Sequence, residues 1–236
     1  MNPQTKRVAI VTAASRGMGK AIATELARRD YQLVLMSPSE AVLETARQLD
    51  ACAVQGSVTS EADIHAVVEL AIARHGRIDA VVNHTGHPPK GDLLALDDAA
   101  WQLGHDMVIG NVIKMARAVT PWMQKNGGGA FVNISTYAAL EPTAKFPVSC
   151  VYRAALAAFA KLYADQYGKE NIRMNNILPG FIDSLNHAES LLQDIPLQRF
   201  GSVQEIASTA AFLLSADAGY ITGQNIRVDG GITRHV

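Results

Sequence analysis

The chain has 236 residues, 48% of them hydrophobic, with a formal net charge of -1, which suits one sizeable α/β core and argues against nucleic acid or an anionic membrane surface as partner. No apolar stretch is long enough to span a bilayer, and the polar opening Met1-Asn2-Pro3-Gln4-Thr5-Lys6-Arg7 lacks the apolar run of a signal peptide, so a cytoplasmic location is expected. Cys52 and Cys150 have no metal-ligand spacing; they read as free thiols of a reducing compartment, and no metal site is expected.

The first strand is predicted over 7–12, where Val8-Ala9-Ile10-Val11 runs apolar without alternation, as in a strand buried on both faces. Small residues and glycines follow, then a helix over 17–29. A strand, a glycine-bearing turn and a helix make a phosphate cradle, because the helix N-terminus offers free N–H groups and a partial positive charge. Strands over 31–36 and 51–55 alternate with helices over 40–49 (Ser39 as N-cap) and 60–75. The latter has Ser60 as cap, Asp63 at the capping-box position and Gly76 just past its end. A fourth strand, 79–83, leads through Pro88-Pro89 to a long helical region over 97–126. A strand at 130–135, a helix at 148–167 and a strand at 172–178 follow. Pro179-Gly180 opens a loop with a short helix near 188–193, and the chain closes with a helix at 202–215 and a strand at 224–228. This alternation predicts a single α/β domain over 1–236: a Rossmann-like, doubly wound parallel sheet of about seven strands, with ligands at the carboxyl ends of the strands.

Five stretches in this order resemble the short-chain dehydrogenase/reductase family, of the 3-oxoacyl-carrier-protein-reductase type. Thr12-Ala13-Ala14-Ser15-Arg16-Gly17-Met18-Gly19 resembles its TGxxxGxG, and Gly76-Arg77-Ile78-Asp79-Ala80-Val81-Val82-Asn83-His84-Thr85-Gly86 its GxIDxLVNNAG. Asn171-Ile172-Arg173-Met174-Asn175-Asn176-Ile177-Leu178-Pro179-Gly180 resembles its GIRVNxIxPG; Leu197-Gln198-Arg199-Phe200-Gly201 and the segment from Gly223 to Gly231 resemble its C-terminal signatures. The resemblance implies NAD or NADP as cofactor, a small carbonyl or alcohol substrate, and a homo-oligomer, dimer or tetramer. By position it implies cofactor contacts at Thr12, Ser15, Arg16, Gly17, Met18, Gly19, Ser37, Asn83, Gly86, Arg153, Pro179, Gly180 and Ile182.

The family transfers its proton with a Tyr, a Lys four residues later, a Ser thirteen residues before the Tyr, and an Asn on the long helix. Counted from flanking landmarks, these positions fall on Ser149, Arg153, Thr136 and Val108. Thr136 keeps a hydroxyl. Arg153 keeps a cation of different shape. Ser149 replaces a tunable phenol with a far weaker acid, and Val108 cannot hold a water. Standard hydride-transfer chemistry is therefore expected to be lost, leaving a binding or partner-subunit role, with a hetero-oligomer including an active relative among the arrangements. The alternative is an active carbonyl or 3-oxoacyl reductase, or other chemistry in the same cleft, built on Thr136 and Tyr152, which stands one helical turn beyond Ser149; Asn111 and Tyr137 are further shifted candidates.

The cofactor site is expected to bind weakly or not at all. Ala13 replaces a glycine and is tolerated only if its φ is negative. Ser37-Pro38 offers neither the acid that selects NAD nor the arginine that selects NADP. Ser57 stands where the family has an Asp for the adenine. His84 and His87 flank the pocket, where either is able to titrate near neutrality, and a surface loop explains them as well. Ala154, Ala155, Ala157, Ala158 and Ala160 make one helix face small, for packing within the chain or across subunits.

Overall fold

In the computed structural model, which describes residues 6–235, seven strands alternate with helices. The strands are β1 (Val8–Thr12), β2 (Gln32–Ser37), β3 (Cys52–Gln55), β4 (Ala80–Asn83), β5 (Gly129–Ile134), β6 (Ile172–Pro179) and β7 (Asn225–Val228). The helices are α1 (Gly17–Arg28), α2 (Ala41–Gln48), α3 (Glu61–His75), α4 (Asp98–His105), α5 (Asn111–Lys125), α6 (Pro147–Tyr167) and α7 (Val203–Leu214). The polar opening read over residues 1–5 lies outside the described residues.

All pairings are parallel, in the order β3-β2-β1-β4-β5-β6-β7. Strand order reverses between β1 and β4, which opens a crevice at their carboxyl ends. The unbroken apolar run of β1 reflects burial from both sides. Ala9 and Val11 pack with Ile22, Leu26, Ala207 and Ala210 of α1 and α7. Val8 and Ile10 pack with Ile64, Val67, Met115 and Leu156 of α3, α5 and α6.

Two local readings are corrected. Ser60 does cap α3, its Oγ accepting from Asp63 N at 3.2 Å, but the Asp63 carboxylate accepts from Ser57 N at 2.8 Å instead of closing a capping box. The helix read as continuous over 97–126 is interrupted by a π-turn at Asp106–Gly110 between α4 and α5. A wider turn frees carbonyls, and Asn111 supplies the donor: its Nδ2 bonds to Met107 O and, at 3.3 Å, to Val108 O.

Four asparagines form a ladder across the carboxyl half of the sheet. Asn83 Nδ2 donates to Asn133 Oδ1, Asn133 Nδ2 to Asn176 Oδ1, and Asn176 Nδ2 to Asn225 Oδ1, each at 2.8 Å. The strand register places each directly opposite the next. Replacing Asn133 with Leu strands a buried donor on Asn83 and a buried acceptor on Asn176. We expect a loss of about 2–4 kcal/mol of stability, measured by urea unfolding; a loss under about 0.5 kcal/mol would show the ladder to be energetically idle.

Candidate functional site

The crevice has a phosphate end and a chemical end. At the first, Thr12 is fully buried; its hydroxyl donates to His84 O at 2.6 Å and accepts from His84 N at 2.8 Å. The side chain therefore clasps β1 to the segment after β4 and positions the site through backbone. Ala13 has φ +50°, so the condition of a negative φ, under which an alanine is tolerated there without strain, is not met. The turn keeps its left-handed shape and the alanine carries the strain, about 1 kcal/mol. Gly17, at φ +54°, begins α1, and a Cβ at Gly19 would lie 2.2 Å from Ala13 O, so helix and turn meet only because Gly19 has none.

No side chain caps α1 and no acid sits in its first turn, so its free N–H groups remain available to an anion. This cradle fits the diphosphate of a dinucleotide. The Arg16 side chain makes no hydrogen bond or ion pair among the described residues and the residue is exposed, while its carbonyl accepts from Lys20 N at 3.2 Å; Ser15 and Ser37 join through their hydroxyls at 3.0 Å. Met18 packs its side chain on the core, leaving its backbone to the turn. The space over Gly86 is open, with only Met107 Cε reaching 3.9 Å from a built Cβ. Asn83 belongs to the ladder, and its Oδ1 is buried without a partner. Across the crevice, Gly180 lies against Asp229, whose Cα would be 2.8 Å from a Cβ there; Pro179 closes β6, and Ile182 is buried and bridges to Gly201.

At the chemical end, β5 delivers Thr136, whose Oγ1 accepts from Ala138 N at 3.4 Å. The first turns of α6 deliver Ser149 and Arg153, both buried. Arg153 Nε donates to Ser149 Oγ at 3.2 Å, and its Nη1 to Ile134 O at 2.6 Å. Burial lowers the guanidinium to about 10, still fully charged at neutral pH. Val108 is buried in the apolar cluster with Val112 and Met115. Tyr152 turns to α4: its ring meets Trp101 and His105 edge-on, at 6.0 and 5.8 Å. No hydrogen bond joins its phenol to Thr136 among the described residues, and the Asn111 amide bonds within the π-turn. Tyr137 packs on Phe181, which leads through His187 to Phe200 as a chain of ring contacts along the loop after β6. Burial raises the Tyr137 phenol. Neither this ring chain nor the ladder has a local sequence signature, since each joins residues far apart in the chain.

His84 and His87 are both shifted below the ordinary histidine value. His84 keeps some outer surface, yet its Nδ1 is enclosed without a partner; burial first, then Arg153 and His87, lower it to about 3. His87 is lowered by burial, then by Lys90, Arg153 and His187. A separate cavity of about 480 Å³, lined in part by Ile182, Pro196, Arg227 and Asp229, does not include Thr136, Ser149 or Arg153. Among the described residues no cluster of ligating side chains fit for a metal is found.

Residues 12–233 match a family model described as enoyl-(acyl carrier protein) reductase. The chain is 32% identical to the 3-oxoacyl-[acyl-carrier-protein] reductase FabG of Staphylococcus aureus, over 95% of this chain and 97% of that protein. It is 31% identical to dehydrogenase/reductase SDR family member 4 of Oryctolagus cuniculus, over 98% and 95%. Among solved structures, it resembles L-sorbose reductase from Gluconobacter frateurii, complexed with NADPH and L-sorbose, with TM-score 0.94, 29% identity and 98% of each chain covered. It also resembles a 7 alpha-hydroxysteroid dehydrogenase complexed with NADH and 7-oxo glycochenodeoxycholic acid, with TM-score 0.90, 30% identity, and 95% and 93% covered.

The buried His84 makes stability depend on pH. Its folded value lies below the unfolded 6.5, so the unfolded chain takes up the proton first as pH falls. Its contribution is complete above about pH 6.5 and is lost toward about pH 3, at no more than about 1.4 kcal/mol per pH unit. Urea unfolding at descending pH is expected to show a shallower loss in His84→Asn than in the wild type. Equal slopes would assign the dependence elsewhere.

Proposed function

The chain belongs to the short-chain dehydrogenase/reductase family of oxidoreductases, and from that premise we propose an NAD(P)-binding protein that has lost the family's phenol-and-ammonium proton transfer and serves as a binding or partner subunit. One observation carries this reading. Where a phenol and an ammonium would meet the substrate oxygen, the chain holds the Ser149 hydroxyl and the Arg153 guanidinium, bonded to each other at 3.2 Å. An alkyl hydroxyl is too weak an acid to protonate a developing alkoxide, and a guanidinium does not release its proton at neutral pH. With Val108 sealed into the core, no polar group stands at the fourth position. The reading through Tyr152 has no support in its placement, because its ring is packed on Trp101 and His105.

The α1 cradle, Gly17, Gly19 and the space over Gly86 would hold the dinucleotide, with Pro179, Gly180 and Ile182 opposite. When bound, the nicotinamide would supply or accept a hydride. The 2′-phosphorylated form is favoured: no carboxylate stands at Ser37, Pro38 or Ser39, and Arg16 is free to meet a phosphate. The strained Ala13 keeps affinity modest.

A second copy of the chain is the proposed partner. Val151 and Leu162 of α6 are 49% and 68% exposed, and Ala154 and Ala158 are exposed between them, a stripe at helical spacing with room for close approach. No helix among the described residues is long and apolar enough to cross a membrane.

Three measurements test these statements. In calorimetric titration, NADPH is expected to bind at least about tenfold more tightly than NADH, with the difference abolished by Arg16→Ala. With 3-oxoacyl thioesters and small ketones, the wild type is expected to consume no NADPH, whereas Ser149→Tyr with Arg153→Lys gains turnover; wild-type turnover would overturn the reading. For the oligomer, light scattering is expected to show a dimer or tetramer that Ala158→Glu converts to monomer.

A further inference from the structure

The Arg153 guanidinium is 6% exposed, and no carboxylate lies within ion-pair range of it among the described residues. A buried charge left without a counter-charge costs several kcal/mol, of order the penalty of a broken internal ion pair. Its place in α6 makes this worse, since it stands in the second turn of a 21-residue helix, near the positive end of the dipole. Arg173 provides an internal comparison. It too is buried, but donates to three carbonyls, Leu213 O, Ile221 O and Ser215 O, around the carboxyl end of α7. Arg173 is a brace. Arg153 has one carbonyl, Ile134 O, and one hydroxyl, Ser149 Oγ.

We propose that Arg153 is the receptor for the carboxylate of a small anionic ligand, with Ser149 and Thr136 as supporting donors. This rests on the reading that the crevice is the ligand site and names the class of molecule it takes.

The donor count supports a carboxylate. A guanidinium has five N–H groups; with Nε and one Nη1 hydrogen engaged, the remaining three lie on Nη1 and Nη2, whose parallel pair matches a carboxylate end-on. Ser149 Oγ already accepts from Nε, so its own hydrogen is left to donate, and Thr136 Oγ1, which accepts from Ala138 N, is in the same state. These side chains offer hydrogens and need acceptors. The guanidinium bonds at the carboxyl end of β5 and acts on His84 and His87 beyond the end of β4, which places it over the crevice. On the β4 side the charged groups are basic: Arg153 and His87 act on His84, and Lys90, Arg153 and His187 act on His87; the acidic groups lie on the other side, Cys150 acting on Arg153, and Cys150, Glu141 and Asp194 on Tyr137.

The test is calorimetric titration of the full chain, without cofactor, by malonate, by neutral malonamide and by inorganic phosphate. Malonate is expected to bind and raise the unfolding temperature; malonamide and phosphate are expected to bind at least about tenfold more weakly. Arg153→Met, an uncharged side chain of similar length, should weaken malonate by at least about tenfold while the ligand-free protein stays as stable or gains stability. Arg153→Lys, which keeps the charge without the fork, should lie between, and decides the matter if the Met variant fails to fold. Malonate bound no better than malonamide, preference for phosphate, or equal malonate binding in the variants would each overturn the proposal. NADPH binding is read in a separate titration, so its failure and this one are distinguishable.

Discussion

The asparagine ladder is the constraint on which the rest of the sheet's working edge depends. Asn83, Asn133, Asn176 and Asn225 stand opposite one another on β4, β5, β6 and β7, and each side-chain amide donates to the next. A one-residue slip would turn a strand's amide to the other face, breaking two bonds in the low-dielectric interior for β5 or β6 and one for β4 or β7. The ladder therefore holds four neighbouring strands in register, and the crevice walls rise from their carboxyl ends. It is continued toward β1 by the two hydrogen bonds of the Thr12 hydroxyl, which donates to His84 O and accepts from His84 N. Together these contacts place the phosphate turn, the segment after β4 and the start of the loop after β6 in fixed relation.

On that floor the two ends of the crevice have diverged from one another in character. The phosphate end keeps its geometry even where its residue is wrong for it: Ala13 sits at a φ of +50°, a strain the surrounding turn, β1 and α1 jointly impose. The chemical end keeps positions and exchanges chemistry. The hydroxyl and guanidinium of Ser149 and Arg153 occupy the helix turns where a phenol and an ammonium are expected, and they bond to each other and to Ile134 O. These bonds leave a buried guanidinium beside two hydroxyls at the mouth of the crevice, the arrangement on which the proposed function and the proposed anion site both rest.

The π-turn shows how a substitution is absorbed locally. Val108 faces the core and makes its floor apolar, while Asn111, one turn on, fills the hydrogen-bond deficit at Met107 O and Val108 O. The amide is thus used to satisfy the π-turn between α4 and α5. Tyr152 follows the same logic: three residues beyond Ser149, it is carried around the helix to α4, where Trp101 and His105 receive its ring.

The order and type of every strand and long helix were legible in the sequence, because buried parallel strands and amphipathic helices are local patterns of apolar residues. Five motifs in order carried the family, and counting from them placed Ser149, Arg153, Thr136 and Val108. What lay beyond the sequence was set by contacts between distant residues. The sign of φ at Ala13 was decided by the packing of Gly19 against it; the direction of Tyr152 by the rings of α4; the state of His84 by how completely the fold encloses Nδ1; and the ladder by a register that only the assembled sheet defines. Amino-acid order determined which groups reach the crevice, since helical and strand periods are properties of the chain; the tertiary structure alone decided which of them are left with hydrogens and charge to offer a ligand, since that depends on every neighbour brought in from elsewhere.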